Sequence, residues 1–303
     1  MTPAAKAVEV EVEGRRLKLS NLDKVFYPAV GFTKGELIDY YRRVAPALLP
    51  HLCDRPLTLK RYPDGVDGQF FYEKQCPSHR PEWIRTVAVR NKREIDYCLA
   101  NDLSTLIWLA NLADLELHTS LSRADDIQRP TMMVFDLDPG QPAAILDCAR
   151  VGIALRDLFR NLGLDCYPKT SGSKGLQVYV PLNTPVTYDE TKPFAHAIAM
   201  LLEKQLPELV VSSMKKSIRK GKVFVDWSQN DDHKTTVCVY SLRARERPFV
   251  STPVRWQEVE EASHSKDETL LAFEADAVLE RVEKDGDLFA PVVEQEQVLP
   301  RIG

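Results

Sequence analysis

The N-terminal stretch VEVEVEGRRLKLSN alternates apolar and polar residues at period two around Gly14, which predicts a β-hairpin. The period then changes. In TKGELIDYYRRVAPALLPHL, residues Leu37, Tyr40, Tyr41, Val44 and Leu48 fall on one stripe of an α-helix, with Thr33 as its N-cap. RPLTLKRYPDG and GQFFYEK predict two strands joined by a Pro-Asp-Gly turn, and IRTVAVRNKREIDYCLA two more around the basic tip Arg90 to Arg93. NDLSTLIWLANLADLEL predicts a helix opened by an Asn or Asp cap.

Further along, TMMVFDLDPG predicts a buried strand ending in a turn, and AAILDCARVGIALRDLFRNLG a helix closed by Gly163. LDCYPKTSGSKGLQVYVPL predicts two strands around a Ser/Gly-rich turn, YDETKPFAHAIAMLLEKQL a second helix, and KVFVDWSQN with TTVCVYSLRAR another strand pair. This order predicts an α/β (α+β) fold, mixed sheets with packed helices. No repeat of the solenoid kind and no low-complexity linker divides the chain. The expectation is one domain over residues 1–303, with an ordered core over about 8–295 and a peripheral C-terminal helical segment.

Composition adds limits. With 44% hydrophobic and 28% charged residues in 303, the chain can bury a sizeable core and is not disordered. No apolar run is long enough to span a bilayer, and the N-terminus lacks a signal-peptide core, so a cytoplasmic protein without membrane contact is expected. The net charge of −4 excludes a uniformly basic coat, yet residues 214–247 carry nine Lys/Arg against four Asp/Glu. The six cysteines are dispersed without C-x-x-C or zinc-finger spacing, and read as reduced thiols.

Candidate chemistry gathers in three places. In MMVFDLDPG, Asp136 and Asp138 lie two apart on a strand and so share a face. Such a pair favours a divalent cation between the carboxylates, Mg²⁺ or Mn²⁺ given hard oxygen donors, although D-x-D-P-G alone also describes an ordinary turn. KVFVDW delivers a third carboxylate, Asp226, from another apolar strand, and three such acids can hold two metals about 3.5–4 Å apart. Between them, TSGSKGLQ offers two glycines, two hydroxyls and one ammonium, suited to phosphate oxygens or to a plain polar hairpin. It is not a Walker A motif.

Taken together and in this order, DLDPG, TSGSKGLQVYVPL and KVFVDWSQN resemble motifs I, II and III of the archaeo-eukaryotic primase superfamily, in the version found in the polymerase domain of bacterial ATP-dependent DNA ligase D. LSNLDKVFYP, FTKGELIDYY, RPLTLKRYPDGVDGQFFYEK, LELHT and YSLRAR also look like that family, so the resemblance covers nearly the whole chain. It implies a primase-polymerase catalytic core with RRM-like motif-bearing strands. Asp136, Asp138 and Asp226 would be the catalytic metal ligands for two ions, Mn²⁺ preferred or Mg²⁺. His118, Ser171, Gly172, Ser173, Lys174, Gln177 and Arg243 would bind the nucleotide, Ser171 near its ribose. Lys24 and Lys34 match lysines that bind a 5′-phosphate across a gap, and Phe70 and Phe71 match aromatics that stack on template bases. Arg90, Lys92 and Arg93, and Lys215, Lys216, Arg219, Lys220 and Lys222, match two basic loops that handle DNA ends. One position departs: the family's motif II ends in His, whereas this chain has Gln177, which cannot carry charge or transfer a proton.

The implied function is template-dependent nucleotidyl transfer at short gaps or broken DNA ends, with NTPs and dNTPs and a ribonucleotide preference. Partners would be gapped or broken duplex DNA with a 5′-phosphate, a separate DNA ligase and an end-binding protein such as bacterial Ku, at the nucleoid. No ligase or nuclease segment is expected in the remaining length, so sealing and end-trimming are expected from other proteins. Two alternatives stay open, a primase that starts chains de novo and a non-catalytic end-binding module; retention of all three acids argues against the second.

Overall fold

The computed structural model describes residues 7–90 and 94–300. Strands β1 (Ala7–Val12) and β2 (Arg15–Ser20) form the expected hairpin. A short second hairpin, β3 (Val25–Tyr27) and β4 (Phe32–Thr33), leads directly into α1 (Lys34–Leu52). Thr33 caps this helix as the sequence predicts: its Oγ1 accepts from the Glu36 N–H, and the Glu36 carboxylate accepts from the Thr33 N–H. All five residues of the apolar stripe are buried.

The chain continues through β5 (Leu57–Arg61), β6 (Phe71–Glu73), β7 (Thr86–Arg90), β8 (Glu94–Cys98), α2 (Leu103–Asn111), β9 (Asp114–Thr119), β10 (Ser122–Arg123) and β11 (Asp126–Pro130). The motif-bearing half comprises β12 (Met132–Pro139), α3 (Ile145–Asn161), β13 (Tyr167–Thr170), β14 (Leu176–Pro181), α4 (Tyr188–Gln205), β15 (Val210–Val211) and β16 (Val223–Asp226). After β17 (Thr236–Val237) come α5 (Trp256–Ser265), α6 (Ala275–Asp285) and the short α7 (Pro291–Glu294).

Two larger sheets organise these elements. One runs β13-β14-β12-β16-β15, the other β17-β9-β5-β8-β7 with β6 also paired to β5. Strand β12 is buried on both faces. Met133, Phe135 and Leu137 join the core under α3 and α4, while Met132 and Val134 join the core shared with α1, α2 and the second sheet. Only the end of β12 at Asp136 and Asp138 leaves this packing, and that end carries the site.

Three expectations are corrected. KVFVDWSQN and TTVCVYSLRAR do not pair with each other, because β16 already has neighbours on both edges and the chain crosses to the other sheet, where β17 pairs β9. The C-terminal helical segment is not peripheral: α5 packs on α3, α6 on α1, and Val259, Val278, Phe289 and Val292 are buried. Cys76 and Cys98 are not free thiols but form a disulfide, their Cα atoms 5.0 Å apart. The Cys76 N–H donates to the Asp96 carbonyl, which draws the segment after β6 alongside β8 and closes a pairing across 22 residues. Among the described residues no helix is long and apolar enough to cross a membrane.

Candidate active site

Strand register assembles the centre of the site. Asp136 on β12 stands opposite Asp226 on β16, and on its other side opposite Gln177 on β14. Asp138 follows two residues along the same face. Burial pushes the Asp136 carboxyl up to about 6, and the nearby Asp226 and Asp138 add to the shift, while a hydrogen bond from Gln177 and the charge of Lys169 oppose it. A buried carboxylate with two further carboxylates beside it is a donor set of hard oxygens that fits a divalent-metal site.

The three carboxylates are not drawn into a tight cluster. Asp226 is turned to its own strand end, where Oδ1 accepts from the Ser228 N–H and Oγ and Oδ2 accepts from Gln229 Nε2 at 2.8 Å. The trio of described residues whose ligand atoms do lie within 4.8 Å of one another is Asp231, Asp232 and His233. There Lys192 pairs with Asp231, and His233 Nδ1 contacts both Asp231 and Asp232.

The motif II turn is shaped by its serine and glycines. Ser171 Oγ accepts from the N–H groups of Ser173 and Gly175, and the Ser171 N–H donates to the Gly175 carbonyl. Gly175 lies so close to β12 that a Cβ there would stand 2.1 Å from the Leu137 carbonyl oxygen. Gly172 adopts φ +64° against the backbone of Val250 and Ser251. Arg243 reaches across and donates through Nη1 to the Ser171 carbonyl.

A cavity of 520 Å³ opens over this turn, and its lining brings together His118, Ser171, Ser173, Lys174, Gln177 and Arg243 with Asp136 and Asp138. Gly172 instead lines a neighbouring cavity of 400 Å³ on the other side of the turn, shared through Ser173 and Lys174.

Beneath the cavity lies a residue that motif reading missed. Glu116 is 1% exposed. Its carboxylate faces Lys60 Nζ at 3.2 Å, His118 Nε2 at 3.0 Å and Arg243 Nε at 3.4 Å, and accepts from the Ala244 N–H at 2.9 Å. Burial opposes its ionisation, yet His118, Arg243 and Lys60 hold it well below the usual carboxylate range. His118 in turn is pushed down by burial, against the pull of Glu116. The available signal was the alternation in LELHT, which puts Glu116 and His118 on one face of a strand otherwise rich in leucine.

The outer residues sit as follows. The register Val25↔Thr33 of the β3–β4 hairpin sets Lys24 beside Lys34. Lys24 Nζ donates to the Pro63 carbonyl and Asp64 carboxylate, whereas Lys34 is only 5% exposed and donates to the Ser20 carbonyl and Asn111 Oδ1. Burial, with Lys24 adding to it, lowers the Lys34 pKa to about 8. Phe70 and Phe71 do not enter a core; they are 50% and 52% exposed. Lys60 Nζ lies 4.8 Å from the Phe70 ring centroid, with Tyr62 and Tyr72 also around it. The loop bearing Lys215, Lys216, Arg219 and Lys220 is clasped to the end of β12: Gly140 N–H donates to Lys222, Gly221 N–H donates back to Gly140, and a Cβ on Gly140 would strike the Arg219 carbonyl. Arg219 stacks its guanidinium on Phe224, and Lys215, Lys216 and Lys220 are exposed. Arg90 is exposed at the end of β7, and Lys92 and Arg93 lie outside the described residues.

The family model of the LigD primase-polymerase domain matches residues 33–289. The chain belongs to this family. It is 42% identical over 280 residues to the multifunctional non-homologous end joining protein LigD of Mycolicibacterium smegmatis, covering 91% of this chain and 36% of that protein. It is 33% identical over 272 residues to the bifunctional non-homologous end joining protein LigD of Bacillus subtilis, covering 89% and 43%. The chain thus spans well under half the length of these curated relatives. Among solved structures, the polymerase domain from Mycobacterium tuberculosis Ligase D in complex with DNA superposes with a TM-score of 0.86 at 40% identity, covering 93% of this chain and 99% of that one. As a LigD primase-polymerase domain, the chain is a nucleotidyltransferase of mixed α/β fold, and the family is metal-dependent.

Proposed function

We propose that this chain extends a 3′-hydroxyl opposite a template at short gaps or broken DNA ends, in end joining or excision repair, with NTPs as well as dNTPs and ribonucleotides preferred. The observation that carries this reading is Asp136 and Asp138 in the wall of a cavity that also holds His118, Lys174 and Arg243, with Asp226 opposite Asp136 on the adjacent strand. Asp136, Asp138 and Asp226 are the residues that would hold two divalent ions, Mn²⁺ or Mg²⁺. When bound, such ions activate the attacking hydroxyl and neutralise charge on the transferred phosphoryl group. Lys174 and Arg243 neutralise the triphosphate, His118 helps orient it, and Ser171 keeps the turn closed beneath it. The exposed Phe70 and Phe71 suit stacking on template bases, and the loop at Lys215, Lys216 and Lys220 suits DNA phosphates. The domain works as one catalytic unit in the cytoplasm with a DNA ligase and a Ku-like end-binding protein, a setting supported by the end-joining roles printed for its relatives.

Extension of a gapped, 5′-phosphorylated duplex with NTPs or dNTPs in Mn²⁺ or Mg²⁺ tests the reading. Template-directed addition to the primer is the expected result; synthesis without a primer would make the chain a primase, and DNA binding without synthesis an end-binding module. On the same substrates Lys24→Ala is expected to weaken binding to the 5′-phosphorylated gap by about tenfold, on the order of one charge-assisted hydrogen bond. The matching 5′-hydroxyl gap is expected to change less than twofold. Equal loss on both in a gel-shift titration would reduce Lys24 to a general backbone contact. Lys34→Ala also removes two internal hydrogen bonds, so its melting temperature is read alongside binding.

A further inference from the structure

Lys169 is 0% exposed and directly precedes the motif II turn. Its Nζ donates to Gln177 Oε1 at 2.6 Å and to Ser251 Oγ at 2.6 Å, and it lies over the Tyr179 ring at 5.5 Å. Ser251 Oγ passes its own hydrogen to the Thr170 carbonyl at 2.9 Å, so it can only accept from the ammonium. Cross-strand register continues the line: Lys169 on β13 stands opposite Gln177 on β14, Gln177 opposite Asp136 on β12, and Asp136 opposite Asp226 on β16. One row of side chains on four adjacent strands therefore runs from a buried cation through an amide to two carboxylates.

The chemistry of the row fixes a direction. An amide can ordinarily present either end, but Lys169 Nζ donates to the Gln177 oxygen as well as to Ser251 Oγ. Although burial lowers the Lys169 pKa to about 7, the ammonium and the neutral amine both have the two hydrogens these contacts need, so the Gln177 oxygen faces Lys169. The Gln177 NH₂ must then point the other way, where the Asp136 carboxylate accepts from it, leaving the second hydrogen for the cavity. We propose that Lys169 is a positioning residue that locks the Gln177 amide so that its hydrogens serve Asp136 and the nucleotide cavity. The role in catalysis rests on the polymerase reading above; the lock itself does not. It also explains how an amide substitutes for a ring at this position. A histidine at 177 would have to offer Lys169 an unprotonated nitrogen, so it would stand as a neutral imidazole donating through its other N–H, the same polarity as the amide.

Side-chain amide exchange tests the lock in metal-free protein. The Gln177 NH₂ signals, assigned by their disappearance in Gln177→Leu, are expected to exchange with solvent at least tenfold more slowly than those of an exposed glutamine. In Lys169→Met they are expected to exchange at least tenfold faster than in wild type while the backbone amides of β14 keep their protection. Exposed-type exchange in the wild type, which needs no Lys169 variant, overturns the proposal, as does equal loss of side-chain and β14 backbone protection. Extension of the gapped duplex tests the role. Lys169→Met is expected to lower kcat about tenfold with Gln177 present and less than twofold in a Gln177→Leu background, whereas equal losses in both backgrounds overturn it. Wild-type extension is the control: its absence would fault the polymerase reading, and the exchange data would still decide the lock.

Discussion

Asp136→Ala, Asp138→Ala and Asp226→Ala are each expected to lower nucleotide addition by at least about a thousandfold while leaving affinity for a gapped duplex within about threefold. Each removes a carboxylate from the row at the end of β12 and β16, and loss of one preorganised group at developing charge costs on the order of 10²–10³ even without a metal in the account. The DNA-binding candidates Lys24, Phe70 and Phe71 sit on other elements, the segment before β3 and the start of β6, so duplex affinity is expected to survive. The three variants are not equivalent in stability. Asp136→Ala removes a carboxylate whose charge is disfavoured first by burial and then by Asp226 and Asp138, and is expected to raise the metal-free melting temperature. Asp226→Ala strands the Ser228 and Gln229 donors and is expected to lower it. Single-turnover extension, gel shift and thermal melting check the set. Near wild-type extension by any of the three would remove that residue from the metal site.

Glu116→Gln is the second large effect. The substitution keeps shape and leaves an acceptor for the Ala244 N–H, yet it removes the one negative charge shared by Lys60, His118 and Arg243. Breaking a buried charge cluster from one side costs about 3–5 kcal/mol. Lys60 and Arg243 then lose their shared counter-charge and His118 loses a charged hydrogen-bond partner, so His118 and Arg243 move at the wall of the cavity and the KM for nucleotide is expected to rise by about tenfold or more. The stability loss has a defined pH course. The folded-state pKa of Glu116 is depressed, so its stabilisation is present above the ordinary carboxylate pKa of about 4.3 and fades as pH falls towards the folded value. Urea unfolding at pH 7 and pH 3 is therefore expected to show a large gap between variant and wild type at pH 7 and a smaller one at pH 3. A gap that stays constant would place the stabilising contacts outside the ion cluster.

The cluster also joins two parts of the site. Lys60 touches Glu116 on one side and the rings of Tyr62, Phe70 and Tyr72 on the other, so the aromatic surface and the cavity share one buried anchor.

Much of the fold was legible in the sequence because local physics decides it. Period-two alternation specified the β1–β2 hairpin, the stripe from Leu37 to Leu48 with the Thr33 cap specified α1, and the apolar runs ending in Asp136 and Asp226 specified strands that deliver carboxylates. The resemblance of three motifs in order fixed the family before any contact was known. Pairing across long separations was not legible, since alternation says which face a residue takes but not which strand lies beside it. Tertiary structure alone made the row Lys169–Gln177–Asp136–Asp226, sent β16 and β17 to different sheets, and brought Cys76 to Cys98. It also buried Lys34 and left Phe70 and Phe71 exposed, because the β3–β4 hairpin folds one lysine against Ser20 and Asn111 while the chain before β6 holds both aromatic rings away from the core. Glu116 completes the contrast: alternation set its face on β9, and only the meeting of β5, β9 and the segment after β17 surrounded it with Lys60, His118 and Arg243.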